Sequence, residues 1–387
     1  MKLLLIPESY PLSSDDYRGI FVQDQAQMLA ARHDVTVLVP RLCTLRSWLR
    51  GGSQAPTGTR HPSGVHEVVV NIVNFSNRLL RTTRWRWQSA MVHKALALFP
   101  PNDGPDIVHA HFIQPAGHVA LTVAKHYRAT AVLTEHSGPF ADQTRPRWRY
   151  RETARVLQQM HGIAAVSPSQ KADILAVFPH ARIDILGNVV DETLFKPAPR
   201  TPSHPFRFLF VGGLTPVKAV HNLIEAAALL NKTGAPDWRI HIGGDGPLRS
   251  TLESQIRRLD LSRRILFLGR LSRTAVIAAM QDAHALVIPS RSESFGVVAI
   301  EAMSCGLPVI STDCGGPSWV IGSTGGRLVP PAAPKEFADA MAGILTGRYQ
   351  FDAQNIRASI VGRFGRHAFL DACDAFYAQA RARHPLA

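Results

Sequence analysis

The sequence lacks any long hydrophobic run. None of its apolar stretches approaches the roughly 20 residues that a membrane-spanning helix needs. The segment Met1–Tyr10 holds only four consecutive apolar side chains before Pro7, too few for the hydrophobic region of a secretory signal. We therefore predict that this segment forms the first β-strand and that the protein is cytoplasmic.

Cysteine is also scarce. The four cysteines of the 387-residue chain are Cys43, Cys305, Cys314 and Cys373. Their positions match neither the spacing of a metal site nor a disulfide framework. This usage is typical of a protein in a reducing cytoplasm.

Acidic residues are outnumbered by basic ones. Asp and Glu total 29 against 43 Lys and Arg, which gives a formal net charge of +14. Such an excess points to an anionic partner: nucleic acid, a membrane surface or a phosphorylated substrate. The remaining composition, 45% hydrophobic and 19% charged, is that of an ordinary globular protein and excludes disorder and fibrous structure.

Short apolar runs alternate with helical patterns along the whole chain. This alternation predicts parallel sheets that are covered by helices on both faces. The predicted strands are 3–6, 35–39, 106–111, 130–135, 162–166 and 183–186 in the first half, and 206–211, 239–243, 265–268, 285–289, 308–311 and 326–329 in the second.

A proline-rich segment separates the two halves. Residues 195–205 contain four prolines, which suit a stiff linker and cannot enter a sheet interior. We predict an α/β protein of two doubly wound, Rossmann-like domains, 1–194 and 206–365, facing a central cleft. Ligands of such domains bind beyond the carboxyl ends of the parallel strands.

The segment Ala285–Gly316 is the richest in candidate site residues. It reads as strand, loop, helix, strand and loop, and Gly296 opens the helix. Free N–H groups and the dipole at a helix start favour an anion. Glu293 in the loop and Glu301 in the helix can approach one ligand from different points. Isolated glutamates are more often solvated or paired with arginine.

Two glycine-rich turns lie upstream in the same half. Phe208–Lys218 (FLFVGGLTPVK) contains Gly212, Gly213 and Lys218, and Ile242–Leu248 (IGGDGPL) contains Gly244 and Gly246. The glycines permit close approach of the backbone to a ligand, and the lysine supplies a charge suited to phosphate. Each turn alone is equally compatible with a plain strand-to-helix connection.

In the first half, polar residues follow the predicted strands. Gly19 comes after the polar loop Leu12–Arg18, and His109, His111 and His136 lie at strand ends. Histidines at the carboxyl edge of a parallel sheet lie where a site is expected, although a satisfied structural histidine is the alternative. No G-x-G-x-x-G turn follows the first strand, which argues against a dehydrogenase.

These motifs together resemble the retaining glycosyltransferases of family 4, which have the GT-B fold. ESFGVVAIE matches the E-x7-E signature of that family, and AMSCGLPVISTDCGG matches the segment after it. The phosphate-binding turn of the family resembles FVGGLTPVK, and its G-x-G-P turn resembles IGGDGPLR. The strand beside its nucleotide base resembles FLG, and its hinge segment resembles GNVVDETLF. YRGIFVQDQAQMLA and DIVHAHF resemble its N-terminal loop and a strand of its first domain, so the resemblance spans Leu3 to about Tyr377.

The resemblance implies a role for each matching residue. Glu293 would contact hydroxyls of the donor sugar, Glu301 the ribose, and Lys218 the diphosphate. His111 would lie near the reacting sugar, with His109 and His136 as candidates on the acceptor side. The other donor-binding candidates are Gly19, Gly212, Gly213, Gly244, Gly246, Arg270, Leu271, Phe295, Gly296 and Val297.

The implied reaction is transfer of a hexosyl unit from a UDP- or GDP-sugar to a hydroxyl of a glycan or lipid-linked acceptor, with retention. It requires no cofactor, and we expect no metal, because no Asp-x-Asp is present and Lys218 with the helix start can balance the diphosphate charge. The resemblance also implies that a C-terminal helix, 366–387, crosses back to the first domain. A disaccharide synthase or phosphorylase, a sugar-nucleotide epimerase and a non-catalytic nucleic-acid-binding protein are the alternatives.

The chain departs from the family pattern at three places. Gly213 stands where an arginine is frequent, Ala219 replaces a common glycine, and Gly187-Asn188-Val189 replaces the usual Asn-Gly-Val. The first two departures fall in the turn that would hold the donor phosphates.

Arginines and aromatic residues interleave in the first half. The clusters are Arg41–Arg50, Arg78–Trp87 and Arg145–Arg151. Such clusters suit anionic lipid headgroups or nucleic-acid bases, and a solvated basic face is the simpler alternative. We favour docking to the inner surface of the membrane over nucleic acid, which would make the protein peripheral.

Overall fold

The computed structural model describes residues 1–13, 16–44, 59–60, 63–74, 81–199 and 205–384. The chain divides into two compact units. The first consists of Met1–Asn188 with Phe369–Ala387, and the second of Val189–Ala368. Each unit is built around its own sheet and its own apolar core.

The sheet of the first unit has the strand order β3-β4-β2-β1-β5-β6-β7-β8. Every described pairing is parallel except that of β3 with β4. In the central pair, Leu5 of β1 lies opposite His109 of β5, and Pro7 lies opposite His111. The strands are β1 (Lys2–Pro7), β2 (Asp34–Thr44), β3 (Thr59–Arg60), β4 (His66–Asn74), β5 (Ile107–His111), β6 (Thr130–Glu135), β7 (Gly162–Ala165) and β8 (Asp184–Ile185).

Helices connect these strands and cover the sheet. They are α1 (Ile20–Leu29), α2 (Arg81–Leu96), α3 (His118–Tyr127), α4 (Phe140–Thr144), α5 (Arg147–Gln159) and α6 (Pro168–Val177), with a π-helical turn at Ile113–Gly117. Leu4 and Ile6 of β1, Val108 of β5 and Leu133 of β6 lie in one buried cluster with residues of these helices. Apolar side chains fill the central strands because both faces of a parallel sheet are covered.

The second unit repeats this arrangement with six parallel strands in the order β11-β10-β9-β12-β13-β14. These are β9 (Phe206–Val211), β10 (Trp238–Gly243), β11 (Ile265–Gly269), β12 (Ala285–Ile288), β13 (Val309–Thr312) and β14 (Gly326–Val329). Its helices are α7 (Val220–Asn231), α8 (Arg249–Arg258), α9 (Arg273–Asp282), α10 (Val297–Ser304), α11 (Gly316–Ile321), α12 (Pro334–Leu345) and α13 (Ala353–Phe364), with a 3₁₀ turn at Pro216–Lys218. The last helix, α14 (Arg366–Arg383), belongs to the first unit from Phe369 onward.

The two units confirm the predicted fold of two doubly wound parallel-sheet domains. The division between them falls at Asn188, before the predicted linker. The reason is local packing: Phe195 is buried in the second unit, and the Arg357 guanidinium donates to the carbonyl oxygens of Phe195 and Glu192. Residues 200–204 of that linker lie outside the described residues.

None of the helices in the described ranges is both long enough and apolar enough to cross a bilayer.

Candidate functional site

The candidate site of the second unit lies in the loop that follows β12, where Glu293 and Lys218 meet. Lys218 Nζ donates to Glu293 Oε1 at 2.6 Å, and Ser290 Oγ donates to the same oxygen at 2.8 Å. The Glu293 side chain is 13% exposed and that of Lys218 is 29% exposed. This ion pair is therefore largely withdrawn from solvent, yet both ends remain reachable.

Two glycines hold the Glu293 loop against the segment after β13. Glu293 N–H donates to Cys314 O, and Gly316 N–H donates to Glu293 O at 2.9 Å. A Cβ at Gly316 would lie 2.3 Å from Phe295 Cα and 2.5 Å from Phe295 N, so no larger residue fits there. Gly315 has a φ of 121°, which favours glycine. Gly315 and Gly316 therefore fix the position of the loop that carries the Glu293 carboxylate.

Helix α10 begins directly after this loop. Gly296 takes a left-handed φ of 95° at the helix start, and the first N–H groups of any α-helix lack intrahelical acceptors. The Phe295 side chain is buried, with its ring edge-to-face against Trp319 and Phe364. Phe295 can therefore offer only its backbone to a ligand. Glu301 is half-buried one turn after Val297, on the same helix face.

The two glycine-rich turns pack on each other. Gly212 N–H donates to Gly243 O, and Leu214 N–H donates to the carbonyl of Asp245 at 3.0 Å. A Cβ at Gly244 would lie 1.9 Å from Gly212 O, and one at Gly246 would lie 2.6 Å from Leu214 O. Glycine at these two positions is a requirement of the backbone contact between the turns.

Gly213 is different, because a Cβ there would meet no atom closer than 3.7 Å. The space at position 213 therefore accommodates a side chain, and packing does not explain why the frequent arginine is absent.

Ala219 carries the conformation of the glycine that it replaces. Its φ of 47° and ψ of 38° are left-handed, and its side chain is fully buried between the Pro216–Lys218 turn and α7. The Val217 carbonyl in this turn accepts from Arg291 N–H at 2.8 Å, so the Lys218 turn is tied to the Glu293 loop.

Substitution of Ala219 with glycine is expected to be nearly neutral for stability. Relief of left-handed strain, about 1–2 kcal/mol, offsets the loss of one buried methyl group and the added freedom of the unfolded chain. The matched control is Ala226→Gly inside α7, which relieves no strain and should cost about 2 kcal/mol. Urea unfolding of both variants measures the difference, and equal losses would contradict the strain.

Arg270 and Leu271 follow β11. Leu271 packs over Gly243, where a Cβ would lie 2.5 Å from the Leu271 side chain, and Arg270 is exposed. They flank the end of the sheet in the same unit as Glu293.

Cys314 lies beside the ion pair. Burial raises the pKa of its thiol to about 11, with a smaller contribution from the charge of Glu293. The thiol is therefore protonated at neutral pH and is not an activated nucleophile. No group of three or more His, Cys, Asp or Glu side chains that could hold a metal ion occurs in the described part of the chain.

The first unit gathers the three predicted histidines at the ends of β5 and β6. His109 and His111 stack with ring centroids 4.4 Å apart, and His111 Nδ1 lies 3.0 Å from His136 Nε2. Burial lowers the pKa of His111 to about 3 and those of His109 and His136 well below the usual value. All three rings are therefore neutral at pH 7.

Glu135 is a residue that the sequence reasoning missed. Its buried carboxylate accepts from the N–H groups of Ile113, His136 and Ser137 and from the Ser137 hydroxyl. It thereby ties together the loops after β5 and β6. Burial raises its pKa. The sequence feature that could have identified Glu135 is its position next to His136, at the end of a predicted strand.

Gly19 begins helix α1 with a φ of 72°. A Cβ at this position would lie 2.1 Å from Ser9 O, so the turn closes on the segment after β1 only with glycine. The predicted importance of this glycine thus has a local steric reason.

The basic clusters differ from the prediction in one respect. Trp87 is buried in the core of the first unit with Met91 and Ala95, so it cannot anchor to a membrane. Arg78–Leu80 and residues 45–50 lie outside the described residues. Arg145 and Arg147 are exposed, while Trp148 is half-buried with the Arg149 guanidinium 5.4 Å from its ring centroid.

Comparisons with known proteins match both halves of the chain. The family described as "Glycosyl transferases group 1" matches residues 191–359, and "Glycosyltransferase Family 4" matches residues 19–194. A glycogen synthase of Mycobacterium tuberculosis is 28% identical over 372 residues, 89% of this chain and 85% of the relative. The D-rhamnosyltransferase WbpZ of Pseudomonas aeruginosa is 29% identical over 286 residues, 70% of this chain and 73% of the relative.

Solved structures show the same fold. Sucrose-phosphate synthase from Thermosynechococcus elongatus superimposes with a TM-score of 0.81 at 20% identity, covering 99% of this chain and 100% of the other. Anabaena HepE in complex with UDP gives a TM-score of 0.73 at 20% identity, covering 98% of this chain and 100% of the other.

Proposed function

Since the chain belongs to the family 4 glycosyltransferases of the GT-B fold, we propose that it is a retaining hexosyltransferase. The donor would be a UDP- or GDP-sugar, and the acceptor a hydroxyl of a glycan or lipid-linked sugar. The observation that carries this proposal is the contact of Lys218 with Glu293 beside the start of α10. It joins a cation, a carboxylate and free backbone N–H groups at the carboxyl edge of one sheet.

Each part of this group has a task in the proposed reaction. Negative charge develops on the diphosphate as the sugar C1–O bond breaks, and Lys218 with the N–H groups at Phe295–Val297 would stabilise it. Glu293 would orient the donor sugar through its hydroxyls. Glu301 would bind the ribose hydroxyls, while Arg270 and Leu271 would flank the base.

The first unit would serve the reacting sugar and the acceptor. His136 is 7% exposed and His111 is fully buried, so His136 is the better placed of the two to reach a ligand. This reverses the emphasis of the sequence prediction, which favoured His111 as the residue near the sugar.

The relatives support the substrate classes. HepE is described in complex with UDP, with UDP and glucose, and with UDP-glucose, which favours a nucleotide-sugar donor. WbpZ is named as a D-rhamnosyltransferase and a further structural neighbour as a lipopolysaccharide outer core galactosyltransferase. These names favour a role in cell-surface polysaccharide or lipopolysaccharide synthesis.

The test is a thermal-shift panel of UDP- and GDP-sugars, followed by calorimetric titration with the base that stabilises the protein. A true donor stabilises the folded state by mass action, by about 2.7 kcal/mol at a concentration of 100 Kd. Lys218→Ala should weaken binding of the corresponding nucleoside diphosphate by at least about tenfold, because a charge-assisted phosphate contact is lost.

The control is Lys232→Ala, which removes an exposed lysine after α7. Unchanged nucleotide affinity in Lys218→Ala would refute the role of this lysine. Stabilisation by oligonucleotides and by no nucleotide sugar would favour a nucleic-acid-binding protein. Phosphorolysis without a nucleotide would instead favour a disaccharide phosphorylase.

We further propose that the segment Arg145–Arg151 contacts an anionic membrane surface. It presents exposed Arg145, Arg147 and Arg151, and Tyr150 is 44% exposed. The protein should float with vesicles that contain anionic lipid and should detach at about 0.5 M salt, where charges are screened within a few ångströms. Flotation with neutral vesicles is the control, and binding that ignores salt would contradict the proposal.

A further inference from the structure

A buried serine lies behind the Glu293 carboxylate. Ser290 is fully buried, and its hydroxyl donates to Glu293 Oε1 at 2.8 Å, while Lys218 Nζ donates to the same oxygen at 2.6 Å. A carboxylate oxygen has two lone pairs, so these two hydrogen bonds fill Oε1. Oε2 accepts no hydrogen bond from any residue that the structure describes. The oxygen of Glu293 that remains available to a ligand is therefore Oε2.

The backbone around Ser290 is held without help from the serine hydroxyl. Thr312, at the end of β13, is itself buried and donates its hydroxyl to the Ser290 carbonyl oxygen. The next residue, Arg291, donates its N–H to the Val217 carbonyl oxygen at 2.8 Å. Removal of the Ser290 hydroxyl should therefore leave the course of the loop unchanged and release only the Glu293 carboxylate.

The two partners of Oε1 differ in what else they can bind. The Lys218 ammonium has three N–H donors, and its side chain is 29% exposed, so it can also donate to an anionic ligand. Ser290 has a single O–H donor and no exposure to solvent, so a ligand does not compete for it. When an anion draws the Lys218 ammonium toward itself, the serine hydroxyl still holds Oε1.

We propose that Ser290 is a positioning residue, which holds Oε1 of Glu293 so that Oε2 is presented to hydroxyl groups of the donor sugar. Without the serine, the carboxylate is free to rotate about its terminal bond, and a smaller fraction of the bound donor lies in the reactive orientation. That the ligand is a donor sugar rests on the proposed function; the hydrogen bonds that fix Oε1 do not.

Substitution of the serine with alanine tests the role directly. Ser290→Ala should lower kcat for sugar transfer by about tenfold or more, while nucleoside diphosphate affinity changes by less than about threefold. The matched control is Ser304→Ala, because Ser304 is also fully buried in the second unit and donates to the Phe195 carbonyl oxygen at 2.6 Å. It should lower stability and leave kcat unchanged. A Ser290→Ala enzyme with the kcat of the wild type would overturn the proposal.

A double-mutant cycle separates positioning from a purely structural role. If Ser290 acts through Glu293, then adding Ser290→Ala to Glu293→Gln should lower kcat by less than about twofold beyond the effect of Glu293→Gln alone. If the two residues act independently, their effects multiply, and the double variant should lose about a further tenfold. That second result would refute the positioning role.

Crystals of the wild-type protein, soaked separately with UDP and GDP, decide the question if Ser290→Ala does not fold. We expect the Ser290 hydroxyl to stay within hydrogen-bond distance of Glu293 Oε1 with and without the nucleotide. A serine turned away from Glu293, or a protein group bound to Oε2, would overturn the proposal. Wild-type protein that transfers no sugar would instead remove the proposed function and the donor with it, whereas normal transfer by Ser290→Ala would remove only the role of Ser290.

Discussion

Replacing Glu293 with glutamine is expected to lower the rate of sugar transfer by about 10²–10³-fold while changing nucleoside diphosphate affinity by less than about threefold. Glutamine keeps the shape of the side chain but removes the negative charge that accepts from Lys218 and Ser290. A nucleoside diphosphate lacks the hexosyl group that Glu293 would orient, so its affinity reports on the groups that hold the diphosphate, the ribose and the base. Steady-state kinetics and calorimetry together separate the two effects.

The matched control for this variant is Glu253→Gln. Glu253 is also ion-paired in the second unit, with Arg249 at 2.8 Å, but it belongs to helix α8 and not to the Glu293 loop, and it is 37% exposed. Its loss should leave both turnover and affinity unchanged, because exposed helical ion pairs contribute only about 0.3–0.5 kcal/mol. Turnover of Glu293→Gln at the wild-type level would exclude Glu293 from the reaction.

Acidification is expected to unfold the protein steeply because of the three buried histidines. Their pKa values in the folded state lie below the unfolded value of about 6.5, so the unfolded state binds more protons as the pH falls. The contribution to stability is therefore complete above about pH 6.5 and is lost as the pH decreases toward 3. Each histidine accounts for about 1.4 kcal/mol per pH unit, and the three together for about 4 kcal/mol per unit.

Urea unfolding between pH 7.5 and 5 measures this slope. A single substitution, His109→Gln, should reduce it by about 1.4 kcal/mol per pH unit below pH 6.5, even if the substitution also lowers stability at every pH. The control is His93→Gln, an exposed position on α2. A free energy of unfolding that is flat from pH 7.5 to 5 would show that the three rings accept protons in the folded state.

The fold and the centre of the candidate site follow from local sequence signals. Apolar runs between helical patterns predict parallel sheets, and the carboxyl ends of such strands meet at one edge. This rule brings Lys218 and Glu293 together, although 75 residues separate them in the chain. It also gathers His109, His111 and His136, because β5 and β6 are neighbours.

The differences between the structure and the sequence predictions have identifiable physical causes. The alternation of Arg and Trp in residues 84–87 suggests an exposed surface, but α2 is a helix, and Trp87, Met91 and Ala95 recur at a spacing of four on its buried face. The proline-rich stretch suggested a domain boundary at residue 195. Phe195 is instead held in the second unit by Arg357, which binds its carbonyl oxygen and lies 162 positions away in the chain. No pattern in the surrounding sequence reveals such a contact. The strand β4, His66–Asn74, was also not predicted.

The close approach of Gly244 to the carbonyl of Gly212 has a consequence for engineering donor preference. Because of this backbone contact, any turn that replaces residues 242–248 must keep glycine at position 244. A chimaera that imports a turn with a larger residue at position 244 would force the ends of β9 and β10 apart, because its Cβ would lie 1.9 Å from Gly212 O. Transplanting both turns as one unit, with the strands that carry them, preserves the contact and leaves the bordering residues free to vary.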